Sequence, residues 1–406
     1  MATSPARDDR SQPAQATPAP AAAGQTLIRL GTIVREWGRI GIIGFGGPPA
    51  HIRLLRQLCV ERRHWMDASE FEDAVAACNL LPGPASTQLA IFCAWRLRGR
   101  AGALAGGTAF ILPGLIVILA LSALFLSGSP PLWVLGAGAG AGAAVPAVAV
   151  QAGTSLTGAS WQRRQQTARW IGYLLAGAAA AATIGPWLVL VLLGCGMAEL
   201  TARRAIRDRP EAHRAIALPA LLTGLATGGV LASVAWEAFK VGALSYGGGF
   251  VIIPLMQSDA VSRHHWMTNA QFLNAVALGQ ITPGPVVQTV AAVGYAAAGL
   301  AGGILAAIVA FTPSFTFILL GARHFARIRT SSTAAAFLGG AGPAAIGAIL
   351  GSAVTLARAL TEPWQFAILA AALILMLALK RGPVLTLLSA GAVGTILALA
   401  GGPLPH

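Results

Sequence analysis

The chain has 406 residues, 55% of them hydrophobic and only 10% charged, with a mean hydropathy of +0.68. Soluble domains carry about 25% charged residues, so this composition excludes a water-soluble globular protein and defines an all-α polytopic protein of the lipid bilayer. The net charge of +14 does not signal nucleic-acid binding, because the arginines fall in short clusters between apolar runs and form no basic stripe interleaved with aromatics.

In chain order, residues 1–24 are Ala/Pro/polar, lack the apolar core of a signal peptide and predict a disordered cytoplasmic tail. Residues 26–47 read as a short amphipathic helix running into the glycines of "IIGFGGPPAH". A polar loop carrying "HWM" follows, then a helix over 71–96 broken at Pro82, Gly83 and Pro84, because proline lacks an N–H and clashes with the preceding turn. Apolar helices are expected at 101–127, 131–157, 170–184 and 187–200. Within the linker 201–235, residues 216–235 are long enough for an additional crossing. The series then starts again: 236–249 ending in "SYGGGF", an "HWM" loop, and a helix over 272–295 broken at Pro283, Gly284 and Pro285. Apolar helices follow at 303–321, 334–357, 364–379 and 384–400. The expected units are an N-terminal repeat (25–200), the linker (201–235) and a C-terminal repeat (236–406).

Laid over one another at a constant offset of 201, Glu36–Pro84 and Glu237–Pro285 are identical at about eighteen of forty-nine positions without a gap. Shared hydrophobicity alone would not align glycines, prolines and "HWM", so the chain is two homologous halves. Duplicated broken helices are a signature of secondary transporters and point to their binding sites. The broken helices either cross or re-enter; the arginines between 29 and 100 favour re-entry, which keeps the 50–70 loop cytoplasmic. In the first half the basic loops are 96–100, 162–169 and 202–214; in the second they are 322–329 and 380–381, displaced by one helix. The positive-inside rule therefore places the halves in inverted orientation.

Three constellations carry the chemistry. Gly46 and Gly47, matched by Gly247, Gly248 and Gly249, can expose successive backbone N–H groups as an anion-binding nest. The helices restarting after each Pro-Gly-Pro turn their first N–H groups toward an anion. Ser86, Thr87 and Gln88, with Gln288 and Thr289, are read there as uncharged donors, and Asn79 and Gln280 precede the breaks. Glu36 with Arg39, and Glu237 with Lys240, lie three apart on one helical face just before the glycines. The cations would attract an anion and a glutamate would carry a coupling proton, with His51 next in line. His64 and His265, beside tryptophan, read as interfacial anchors. The four cysteines form no C-x-x-C and predict neither disulfide nor metal site. No hydrolase or nucleotide-binding signature is found, so neither an enzyme nor a cofactor is expected.

"GFGGPPAHI", "HWMDASEF", "LLPGPASTQLAI", "LSYGGGFVIIPLM" and "HHWMTNAQFLNAVALGQITPGP" resemble the chromate ion transporter family in its long, two-domain form, over nearly the whole chain beyond the tail. The resemblance implies export of chromate across the bacterial inner membrane, driven by protons or another coupling ion, giving chromate resistance, with sulfate as a chemically similar competitor. A homodimer is compatible with it. Tyr246 departs from the phenylalanine expected in that glycine motif. Other readings of the same residues are sulfate or other oxyanion transport, or an anion channel. Discrimination of chromate from sulfate by size, protonation or kinetics is left open.

Overall fold

The computed structural model describes residues 28–126, 129–183, 188–206, 229–245, 250–322 and 331–405. The expected tail, most of the linker with its additional crossing, the 322–329 loop beyond Ala322, and the cluster Tyr246, Gly247, Gly248 and Gly249 lie outside these residues. The described chain is helical and contains no strand.

The first half runs α1 (Leu30–Ile43), α2 (Pro48–Arg56), α3 (Ala68–Cys78), α4 (Ala85–Phe125), α5 (Leu132–Gln162), α6 (Thr167–Thr183) and α7 (Leu188–Ile206). The second runs α8 (Val230–Leu244), α9 (Ile253–Gln257), α10 (Asn269–Ile281), α11 (Thr289–Gly321), α12 (Ser332–Arg358), α13 (Pro363–Leu373) and α14 (Pro383–Leu399). α4, α5, α12 and the segment Val286–Gly321 are long and apolar enough to cross a membrane.

One expectation needs correction. The segment read as a polar loop is helical: α2 continues into a π-helical turn over Gln57–Arg62, as α9 does over Ser258–Arg263. Each turn ends on a histidine in the left-handed region, His64 at φ 50° and His265 at φ 52°. The next N–H then closes the turn, Trp65 onto Cys59 O at 2.7 Å and Trp266 onto Ala260 O at 2.8 Å, a helix-ending geometry. Met66 and Met267 are buried beneath. The repeated "HWM" thus also acts as a helix stop signal.

α4 and α11 are each a helical hairpin, turning where the sequence places the 96–100 loop and its counterpart before 303. The chain turns at Arg98–Gly99 and at Ala298–Gly299, where Gly99 (φ 56°, ψ −146°) and Gly299 (φ 61°, ψ −153°) occupy backbone conformations open only to glycine. The short arm 85–97 then packs back on 100–125 where Ala94 meets Gly102 and Gly106, and Gly294 meets Gly302 in the other half. Each short arm rises about 20 Å or less, too little to cross a bilayer core of about 30 Å. A Cβ at Gly279 would touch Thr289, ten residues on, although ten residues of continuous helix span about 15 Å. The chain therefore folds back at Pro-Gly-Pro, the re-entrant choice.

The halves are inverted and interlocked. Along α5, Gly136 and Gly140 meet Gly394 and Ala390 of α14, so these helices are antiparallel. α6 runs parallel to α12, with Leu174 against Gly347 and Ala178 against Gly351. Since α6 begins where α5 ends, the α5–α6 turn lies at the opposite end of the bundle from the α12–α13 turn. α7 completes the exchange, packing Cys195 and Glu199 on Gly340 of α12. The last two helices of each half thus cover the long central helix of the other. Glycine and alanine line these seams because in lipid helices associate by close van der Waals approach.

Candidate functional site

The two Pro-Gly-Pro tips lie deep in the bundle, each docked on the other half. The first tip lies against α8 and α11: a Cβ at Gly83 would stand 3.3 Å from Gly242 O and 3.4 Å from Ser314 Oγ. The second lies against the 100–125 arm, where a Cβ at Gly114 would collide with Pro283 O and Gln288 Oε1. Gly284 N donates to Gly44 O at 3.0 Å, and a Cβ at Gly47 would stand 3.8 Å from Val286 Cγ2. The first glycine cluster therefore faces the second tip. Gly46 (φ 96°) and Gly47 (φ 71°, ψ −156°) both adopt positive φ, and Gly47 starts α2 immediately before two prolines.

Gly44 O is a shared acceptor. It also receives Nε2–H of His51 at 2.9 Å, while His51 Nδ1 lies 3.2 Å from Ser86 Oγ. A carbonyl can only accept, so Nε2 carries a proton, and the neutral ring accepts at Nδ1 from the serine hydroxyl. His51 is fully buried, with Phe110 edge-on at 5.1 Å. This chain of contacts joins the first tip (Ser86) to the second (Gly284) through one histidine. The second half has no copy, because Ile252 stands at the matching position.

Around the tips, Thr87, Gln88, Gln280, Gln288, Thr289, Ser245 and Ser314 are all buried. The two glutamines were read as donors, and here the structure differs. Gln88 Nε2 donates to Pro82 O at 2.6 Å and Gln288 Nε2 to Ile111 O at 2.7 Å. Each amide nitrogen is committed to a backbone carbonyl, and each glutamine presents its oxygen. Among the described residues Gln88 Oε1, Gln288 Oε1, Thr87 Oγ1, Ser245 Oγ, Ser314 Oγ and Gln280 Nε2 have no hydrogen-bond partner. Buried polar atoms are nearly always paired, so this concentration marks the tips as a polar site rather than packing. Thr289 is satisfied, its hydroxyl donating to Val286 O at 2.8 Å.

The charged pairs lie elsewhere. Glu237 pairs with Lys240 at 2.6 Å as expected, and Lys240 also pairs with Asp259 of the π-helical turn. Glu36 does not pair with Arg39: it takes Arg63 at 2.7 Å and Arg35 at 3.3 Å, while Arg39 is exposed. The physical reason is the helical turn after α2, which carries Arg63 back onto buried Glu36. Asp259 escaped the sequence reading because its counterpart in the first half is Leu58. Both glutamates brace α1 and α8 against the hairpins that follow them.

A cleft of about 550 Å³ opens over the N-terminus of α10, lined by His265, Thr268, Gln271 and Arg358, and a second of about 280 Å³ adjoins it and reaches Leu273 and Asn274. The matching positions of α3 are Glu70, Glu72 and Asp73. There Glu70 pairs with Arg96, and Glu72 with Arg56 at 3.1 Å.

Inverted repeats and broken helices that fold back into the bundle define a multi-pass membrane protein of transporter type. The chain belongs to the chromate transporter family, whose model matches residues 31–200 and again 232–395. It is similar to a chromate transport protein of Cupriavidus metallidurans, 31% identical over 360 residues covering 86% of this chain and 87% of the relative. A probable chromate transport protein of Synechococcus elongatus is 29% identical over 331 residues, 79% and 82% of the two chains. A chromate transport protein of Pseudomonas aeruginosa is 28% identical over 386 residues, 88% of each. No solved structure matches the chain.

Proposed function

We propose that this chain exports chromate from the bacterial cytoplasm across the inner membrane, driven by an ion gradient, and so confers chromate resistance. The observation that carries the reading is that each of two inverted Pro-Gly-Pro tips docks on the other half beside buried, unpartnered polar atoms, the two being linked through Gly44 and His51. Tetrahedral oxyanions suit helix N-termini and positive-φ glycines, which offer N–H groups without a competing fixed charge. The carboxylate-free clefts over α10 lie at the end opposite the Arg163–Arg164 turn, the outward end by the positive-inside rule, which favours release to the outside. Of the ionisable candidates for coupling, His51 is the one hydrogen-bonded into the tips, whereas Glu36 and Glu237 are held by cations.

Chromate flux into proteoliposomes with an imposed pH gradient tests this. Saturable, gradient-dependent flux is expected, and His51→Asn should lose the gradient dependence while Glu36→Gln and Glu237→Gln keep it. Flux linear in concentration and indifferent to the gradient would indicate a channel and refute the carrier.

A further inference from the structure

The geometry points to the singly protonated oxyanion, hydrogen chromate, as the form bound at the tips, with the amide oxygens of Gln88 and Gln288 as acceptors for its O–H. This rests on the chromate reading above and specifies the species.

The orientation of both amides is fixed by chemistry. Each contacts a backbone carbonyl, Pro82 O or Ile111 O, at 2.6–2.7 Å. Turning either amide over would set oxygen against oxygen, so the nitrogen must face the carbonyl and the oxygen is left pointing away from it, free to accept. Both glutamines are fully buried and both oxygens are unpartnered among the described residues. A chromate dianion offers only acceptors. Set against these fixed acceptors, it would satisfy neither and be repelled by both, whereas one O–H satisfies one of them. Hydrogen chromate offers three oxygens that accept and one O–H that donates. The helix-start N–H groups and the hydroxyls of Thr87 and Ser314 can serve the three oxygens, and an amide oxygen takes the O–H.

The same argument separates chromate from sulfate, which shape does not. Hydrogen chromate loses its proton near neutral pH, so both forms coexist in a cell. Hydrogen sulfate is a strong acid, and sulfate remains the dianion. Sites built to bond a substrate hydroxyl reject analogues lacking it by factors up to about 10⁴–10⁵.

Protein groups could imitate such a pH dependence, and the sequence limits them. α5, up to its last residues, α10 and α12, up to Arg358, carry no charged side chain facing the tips. On α1 and α8 the ionisable residues are Arg35, Glu36, Arg39, Glu237 and Lys240, with the glutamates and Lys240 engaged in the ion pairs above. His51 alone touches a tip residue, Ser86.

The test is equilibrium binding of radiolabelled chromate to the purified full chain in detergent, from mildly acidic to mildly alkaline pH. The affinity for total chromate should fall about tenfold per pH unit once the dianion predominates, and be constant when expressed per hydrogen chromate. Sulfate should compete at least about tenfold more weakly than unlabelled chromate. Gln88→Met and Gln288→Met should flatten the slope and narrow the gap to sulfate. Affinity unchanged into alkaline pH, a fall that does not track the hydrogen chromate fraction, wild-type slope and selectivity in both methionine variants, or equal competition by sulfate would each overturn the inference. Saturable binding with the wrong pH dependence leaves the transport reading standing; no saturable binding at any pH overturns both.

Discussion

Gly114→Ala tests whether the docked second tip matters to transport. The added methyl would overlap Pro283 O and Gln288 Oε1. Gln288 cannot simply yield, because its Nε2 is bonded to Ile111 O, one turn earlier on the same helix. The matching position in the other half already carries a side chain, Ser314, and there Gln88 folds back on Pro82 O instead of reaching across. Gly114 is therefore what leaves room for the cross-half bond. Overpacking costs about 1–3 kcal/mol and losing the buried hydrogen bond about 0.5–1.5 kcal/mol. Together these reach roughly 2–4 kcal/mol, or roughly 30–700-fold in the population of the docked tip. The assay is chromate flux in proteoliposomes alongside Tm in detergent. Gly158→Ala, where a Cβ meets nothing within 4 Å, is the control and should leave both unchanged. Wild-type flux and Tm in Gly114→Ala would refute the docking argument.

Lys240→Met should destabilise the protein by about 3–5 kcal/mol, because it leaves Glu237 buried without its cation and Asp259 with only Arg263, at 3.8 Å; Arg39→Ala, at an exposed site, should change stability by no more than about 0.5 kcal/mol. Gly47→Val should reduce flux through backbone strain of about 1–3 kcal/mol, since only glycine suits φ 71°, ψ −156° and the sole nearby atom is 3.8 Å away. Normal flux in a folded Gly47→Val would reduce the cluster to packing. Cysteines at Gln165 and Thr361 should be labelled by an impermeant reagent from opposite sides of the membrane; labelling of both from one side would defeat the inverted arrangement.

The duplication, the inversion and the Pro-Gly-Pro breaks were legible because each is written in residue types that hydrophobicity alone does not align. The apolar helix limits were legible within a few residues for the same reason. What could not be read was direction. Gln88 and Gln288 look like donors in a sequence, and only the carbonyls they meet decide that their oxygens are left free to accept. Arg39 lies on the face that would suit Glu36, but the pairing is decided by Arg63, twenty-seven residues on, carried there by a turn that reads as polar loop. The hairpin turn at Arg98–Gly99 was legible from the basic cluster 96–100; what stayed hidden was that Gly99 and Gly299 take backbone conformations open only to glycine.

The interlocked seams also set a timetable for synthesis. Each central helix is covered by the last helices of the opposite half, some two hundred residues away in the chain. At about 5–20 residues per second the second half trails the first by roughly 10–40 s. During that interval α5 stands in the bilayer with the glycines that will meet α14 turned toward lipid. Those small side chains are inoffensive to acyl chains and offer a neighbour little area to grip. A seam of larger residues would find other partners while it waited; one of glycine and alanine stays open until the matching helix arrives.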